Sequence, residues 1–212
     1  MTDDAAARAA TTRPTAPGSG RVEAFSDGVF AIAITLLVLE VKVPEVEGGH
    51  GLTKALLHQW PSYVAYAVSF LTIGIMWINH HAIFDRVRLV DRGLLYRNML
   101  LLGSVSFLPF PTAVLARYLR GGDNARPAAV AYGATMVIVG LAFTLIWQHL
   151  LNRPVLWEAH VTEAGVRSAR FRSGIGPLIY LVATGVAAIA PIAALAIYGL
   201  IAGYFAFTRH RS

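Results

Sequence analysis

Two carboxylates bracket an apolar run near the start of the chain. Asp27 and Glu40 stand on either side of GVFAIAITLLVL, twelve residues with no charge and one hydroxyl, Thr35. Ionisable groups at membrane depth are costly and mark ion or proton paths. A helix facing lipid has no use for acids this near its apolar centre, whereas a helix lining water keeps them hydrated while its apolar middle controls passage. A second chemistry-bearing group, Trp77, Asn79, His80 and His81, closes a later apolar stretch. Imidazoles titrate near neutral pH, so Asp27 with His80 or His81 supports either a proton or metal role or a structural network between helices. Adjacent histidines point to different helix faces, which argues against both binding one ion. Ser26 and Asp27 also suit helix capping. Glu40, with Glu45 and Glu47 beyond it, reads either as an acidic ring at an outer mouth or as a solvated interface carboxylate.

The elements that must position these residues follow from composition. The chain is 56% hydrophobic and 14% charged, with mean hydropathy +0.56, which places it in the membrane class. It has no cysteine, which excludes disulfides, haem attachment and thiolate metal sites. The net charge of +6 reads as topology-setting loop charge, not as a nucleic-acid surface. Residues 1–20 are polar and rich in Ala, Thr, Pro and Gly; without an apolar h-region they predict a disordered cytoplasmic tail and no cleavable signal.

A span needs roughly 20 apolar residues, and candidates lie at about 22–43, 60–84, 93–118 and 127–151. Residues 173–208 carry no charge, but at 1.5 Å per residue they extend about 54 Å, too long for one crossing of a ~30 Å core. Pro191 divides them into 174–190 and 191–208. With the N-terminus inside, thirteen arginines fall on the cytoplasmic side, against Lys42, Lys54, Arg117, Arg120 and Arg126 outside. That positive-inside bias predicts an all-α membrane protein of six transmembrane helices over 21–208, with both termini cytoplasmic and a short tail at 209–212. Trp60, Trp147 and Trp157 fall at span ends, where interfacial tryptophans are expected. The stretch from Trp157 to Arg172 reads either as an interfacial segment or as a solvated loop.

The segment Arg21-Val22-Glu23-Ala24-Phe25-Ser26-Asp27, followed by GVFAIAITLLVLEVKVP, resembles the opening of the transmembrane protein 175 family of cation channels. The signature is Arg-x-x-x-Phe-Ser-Asp at the cytoplasmic start of the first of six spans, and the likeness extends over everything except the N-terminal tail. The chain carries one such repeat, as the bacterial members do. The resemblance implies a homotetramer in the bacterial plasma membrane, passive and weakly selective, conducting potassium and other monovalent cations through a pore lined by the first helix. By distance from Phe25-Ser26-Asp27, it assigns the pore constriction to Ile32, Leu36 and Leu39 and the selectivity position to Thr35. It further implies that Arg21, Phe25, Ser26 and Asp27 are tied to Trp77, Asn79, His80 and His81, holding the pore helix in place.

Spacing alone leaves the stripe open. Ile32, Leu36 and Leu39 share one helical face at i, i+4 and i+7, and such a face serves equally to pack on a neighbouring helix. The competing function is a proton-coupled secondary transporter using Asp27 and His80 or His81. Transporters of that class usually carry internal repeats and interrupted helices, whereas this chain has one repeat and no proline in its first span before Pro44. A membrane metalloenzyme on Asn79-His80-His81 would need a further ligand cluster such as His-Glu-x-x-His. The sequence offers none, so neither enzymatic activity nor a metal or cofactor is expected.

Overall fold

The computed structural model describes residues 19–45, 51–120 and 122–208, with side chains as far as Ile201. Over these residues the chain is helical and forms no strand. The first helix, α1, spans Ser19–Leu36 and tightens into a 3-10 turn over Leu37–Glu40. Ser19 and Gly20, expected in the tail, already belong to it; residues 1–18 and 209–212, where the two tails are expected, lie outside the described residues. A short α2 (Leu52–His58) leads into α3 (Trp60–Phe84), which has Pro61 in its first turn, where a missing N–H costs nothing.

The stretch expected as one span at 93–118 is two helices, α4 (Arg92–Phe107) and α5 (Pro109–Tyr118). Pro109 and Pro111 cannot donate to the carbonyls of Val105 and Phe107, so the ladder breaks there. The Leu108 amide turns instead to Val105 O at 3.0 Å. Next comes α6 (Ala125–Leu151), whose 27 residues make it about 40 Å long. It is followed by α7 (Glu163–Ala187) and by α8 (Pro191–Thr208), which opens on proline.

The stretch from Trp157 to Arg172 divides into a short linker and the start of a helix. From Glu163 onward its residues are the first turns of α7, whose N-cap Thr162 accepts from Gly165 N at 3.2 Å. Just before that, Trp157 pairs with Val87 in an isolated antiparallel bridge, supported by Arg88 N to Leu156 O at 2.9 Å and Glu158 N to Arg86 O at 3.0 Å. Two linkers distant in sequence are thereby stitched together at one end of the bundle.

Packing centres on α6, which touches α4, α5, α7 and α8, while α1 lies against α3 and α4. Tyr132, Met136 and Ile146 on α6 are fully buried, as is much of α3 and α4. Of the three tryptophans expected at span ends, Trp147 is 7% exposed and packs in this core, while Trp60 and the half-buried Trp157 keep surface. Among the described residues, four stretches are long and apolar enough to cross a membrane: Ser19–Glu40, Trp60–Phe84, Arg92–Tyr118 and Gly122–Leu151. In α7 the basic first turns dilute the apolar half, and α8 is apolar over its described side chains, Pro191–Ile201.

The α6–α7 contact is close because Gly140 faces Pro177. A Cβ at Gly140 would sit 2.7 Å from Pro177 Cγ and 3.2 Å from its backbone nitrogen. Pro177 leaves the Ser173 carbonyl without its helical donor, and Thr144 Oγ1 approaches that carbonyl from α6 at 3.4 Å. Gly140→Ala is therefore expected to force the helices apart and destabilise the fold by roughly 1–3 kcal/mol, the usual range for overpacking. The melting temperature in detergent reads this directly, and an unchanged value would show that the contact can relax.

Candidate functional site

α1 begins well before Ser26, so Ser26 and Asp27 are interior helical residues and cap nothing. Ser26 Oγ instead donates to the Val22 carbonyl one turn back at 2.7 Å. Its oxygen accepts from Asn98 Nδ2 on α4 at 3.0 Å. With Asn98 in that orientation, its Oδ1 is left to accept from His80 Nε2 on α3 at 2.9 Å, which assigns the ring proton to Nε2. The chain of bonds is sealed: Ser26, His80 and Asn98 are 0%, 1% and 2% exposed. Aromatic faces complete the seal, since the His80 ring stacks on Phe84 at 4.5 Å and meets Phe30 of α1 at 5.4 Å. One residue further along α1, Trp77 Nε1 donates to Asp27 Oδ1 at 2.9 Å on the exposed edge. Midway along its length, α1 is thus pinned to both α3 and α4.

Other residues of the expected network stand outside it. His81 is exposed, stacked on Trp77 at 6.0 Å and lying 3.8 Å from Asp85. Asn79 is half-buried and Arg21 and Phe25 are exposed; neither Asn79 nor Arg21 has a side-chain hydrogen bond among the described residues. Asp27 therefore meets Trp77 and neither histidine, and the transporter reading finds no bonded path joining Asp27, His80 and His81 among the described residues. Nor does any group of three or more His, Cys, Asp or Glu there come together to hold a metal. Sequence reasoning missed Asn98. Its signal was a lone carboxamide inside the apolar run of α4.

The other faces of α1 divide sharply. Ser26, Phe30, Ala33 and Leu37 are buried against the rest of the chain. The stripe one residue back is not: Phe25, Ile32, Leu36 and Leu39 are 55%, 61%, 40% and 61% exposed. The stripe is therefore left largely open by the helices of its own chain. Beyond Leu36 the backbone is 3-10, where side chains at i and i+3 eclipse, so Leu39 stays in line with Leu36. Thr35 is exposed beside the stripe, its hydroxyl within 3.0 Å of the Ala31 and Ile32 carbonyls. Donation to either leaves the oxygen lone pairs facing outward. Glu40 is half-exposed at the end of the turn. An apolar groove of about 300 Å³ runs beside the stripe, between α1 and α4, lined by Phe25, Val29, Ile32, Leu36, Met99 and Ser106 among others.

A helical bundle with several membrane-length apolar helices, the first pinned by a sealed polar network and bare along one aliphatic face, defines a multi-pass membrane protein. The family model described as "Endosomal/lysosomal potassium channel TMEM175" matches residues 21–109. The chain is 49% identical over 191 residues to a potassium channel of Streptomyces collinus, covering 90% of this chain and 93% of that one. It is similar to the crystal structure of a lysosomal potassium-selective channel TMEM175 homolog from Chamaesiphon minutus, with 41% identity, TM-score 0.82, and 92% and 98% of the two chains covered. It is also 40% identical over 111 residues to the human endosomal/lysosomal proton channel TMEM175, a match that takes in 47% of this chain and 22% of that protein. The chain belongs to the TMEM175 family, a family of ion channels.

Proposed function

We propose that this chain is the subunit of a homotetrameric, potassium-permeable cation channel of the bacterial plasma membrane. In this reading six spans place both termini in the cytoplasm, and four copies of α1 surround the pore. The observation that carries it is the bare aliphatic stripe of α1. That helix is the least buried of the four membrane-length stretches, with 22% of its apolar segment buried against 39%, 44% and 50% for the others. A face left open beside a pinned and buried one is what a helix meeting copies of itself around an axis presents. Potassium conduction by relatives aligned over nearly the whole chain supports the choice of ion.

Rings of Ile32, Leu36 and Leu39 form the narrowest part and oppose permeation by dewetting. The Thr35 hydroxyls, one per subunit, offer the polar oxygens at that depth and favour weakly hydrated ions. Glu40 concentrates cations at the outer mouth, and the Ser26–Asn98–His80 network holds α1 so that the rings stay in register. No step requires chemistry beyond passage of the ion, which accords with membership of a channel family and not with an enzyme.

Purified protein should run as a tetramer in detergent and give resolved single-channel potassium currents in a planar bilayer. A monomer, or saturating proton-coupled flux without resolvable currents, would overturn the reading.

A further inference from the structure

At the end of the bundle where the two linkers pair, Asp91 does two jobs. Its Oδ1 caps α4 by accepting from Leu94 N at 2.7 Å. The same carboxylate receives His149 Nε2, on the last turn of α6, at 2.8 and 3.0 Å. The imidazole is 10% exposed and the carboxylate 32%, so the pair is screened less than a surface contact. The site is shaped for it: a Cβ on Gly93 would lie 2.6 Å from His149 Cε1 and 3.3 Å from Arg97 Nη1. The charged groups around the pair are Asp91 itself from the linker, Arg97 from α4, whose Nη1 donates to Gly93 O at 2.9 Å, and Arg153 just beyond α6, which acts on the Asp91 carboxylate. Burial works against ionisation of Asp91, but the Leu94 amide, His149 and Arg153 outweigh it and hold the carboxyl below its ordinary value. Asp91 therefore stays ionised across the range in which imidazoles titrate.

α4 links this pair to the site. Asp91 caps α4 seven residues before Asn98 of the same helix, and Asn98 is the residue that holds Ser26 of α1. We propose that His149 is a positioning residue, and that proton uptake by it closes a clasp on Asp91 which sets the seat of α4 and, through Asn98, the register of the pore helix. The neutral ring donates one hydrogen bond to the carboxylate; the protonated ring adds ion-pair attraction. The inference rests on the channel reading for its consequence, and on the topology for its sidedness, which is cytoplasmic.

The test compares the full-length wild type with His149→Gln, which keeps a donor and cannot charge, and with Asp91→Asn, which keeps the cap acceptor and removes the charge. In detergent, the melting-temperature margin of the wild type over both variants should widen between pH 8 and pH 6. In a planar bilayer with pH varied on one side at a time, wild-type open probability should change about fivefold or more from the cytoplasmic side, the lower end of typical coupling between sites, and His149→Gln should be flat. A margin that does not change with pH overturns the clasp whether or not current flows. A widening margin with an identical pH response of the currents in His149→Gln overturns the link to the pore. A tetramer that carries no current fails the channel reading itself, and the melting margin alone then decides the clasp.

Discussion

Asparagine in place of Leu36 raises the unitary conductance of reconstituted channels about tenfold, or lowers their preference for potassium over sodium, and Ile32→Asn acts in the same direction. A hydrophobic constriction impedes ions because its walls offer nothing in exchange for the water an ion sheds. Four side-chain amides at one level supply donors and acceptors and keep the segment wet. If they lower the barrier by about 1.4 kcal/mol together, flux rises about tenfold. The substitution is structurally mild, since Leu36 is 40% exposed and Ile32 61% in the single chain. Altered current therefore cannot be put down to a damaged core. Wild-type conductance and ion preference in both variants would place the stripe off the permeation path.

Asn98→Leu is expected to destabilise the protein by roughly 2–4 kcal/mol. The carboxamide serves two sealed partners at once, donating to Ser26 Oγ at 3.0 Å and accepting from His80 Nε2 at 2.9 Å. Leucine fills similar space but leaves the His80 N–H without an acceptor and the Ser26 oxygen without a donor, and each unsatisfied buried group costs about 1–3 kcal/mol. For a chain of this size, a loss of 3 kcal/mol lowers the melting temperature by about 6–12 °C. Ser26→Ala removes one end of the chain and should cost less. The double variant should fall short of the sum, because both changes break the same bond. Thermal unfolding in detergent measures all three, and strict additivity would show that Ser26 and Asn98 act independently. Hydrogen exchange should further show earlier opening of α1 than of α6, since the network lies at the α1 end of the contact.

The difference between these two sites explains how far the sequence could be read. The Arg21–Asp27 signature and the apolar runs sufficed for the family and the membrane class, because those properties are local: residue types at fixed spacing and the length of uncharged stretches. Pro61 and Pro191 stand in the first turns of α3 and α8, where any reader would look for helix starts. The break at Leu108 was equally visible in Pro109 and Pro111, but hydropathy averaged across it. Thr162 and Glu163 announce the start of α7, and the basic residues behind them obscured that signal.

What the sequence determined by itself is therefore the class and family of the protein, and one candidate stripe on α1. Only the tertiary structure decided which face of α1 the chain buries, that Asn98 joins Ser26 to His80, that His81 and Arg21 stand apart, and that Asp91 meets His149. The physical reason is that α1 is apolar on nearly every side. In a membrane the surroundings are as apolar as a neighbouring helix, so hydrophobic periodicity does not separate a packed face from a bare one. Close fit and hydrogen bonds make that choice, and both depend on partners 50 to 72 residues away in the chain.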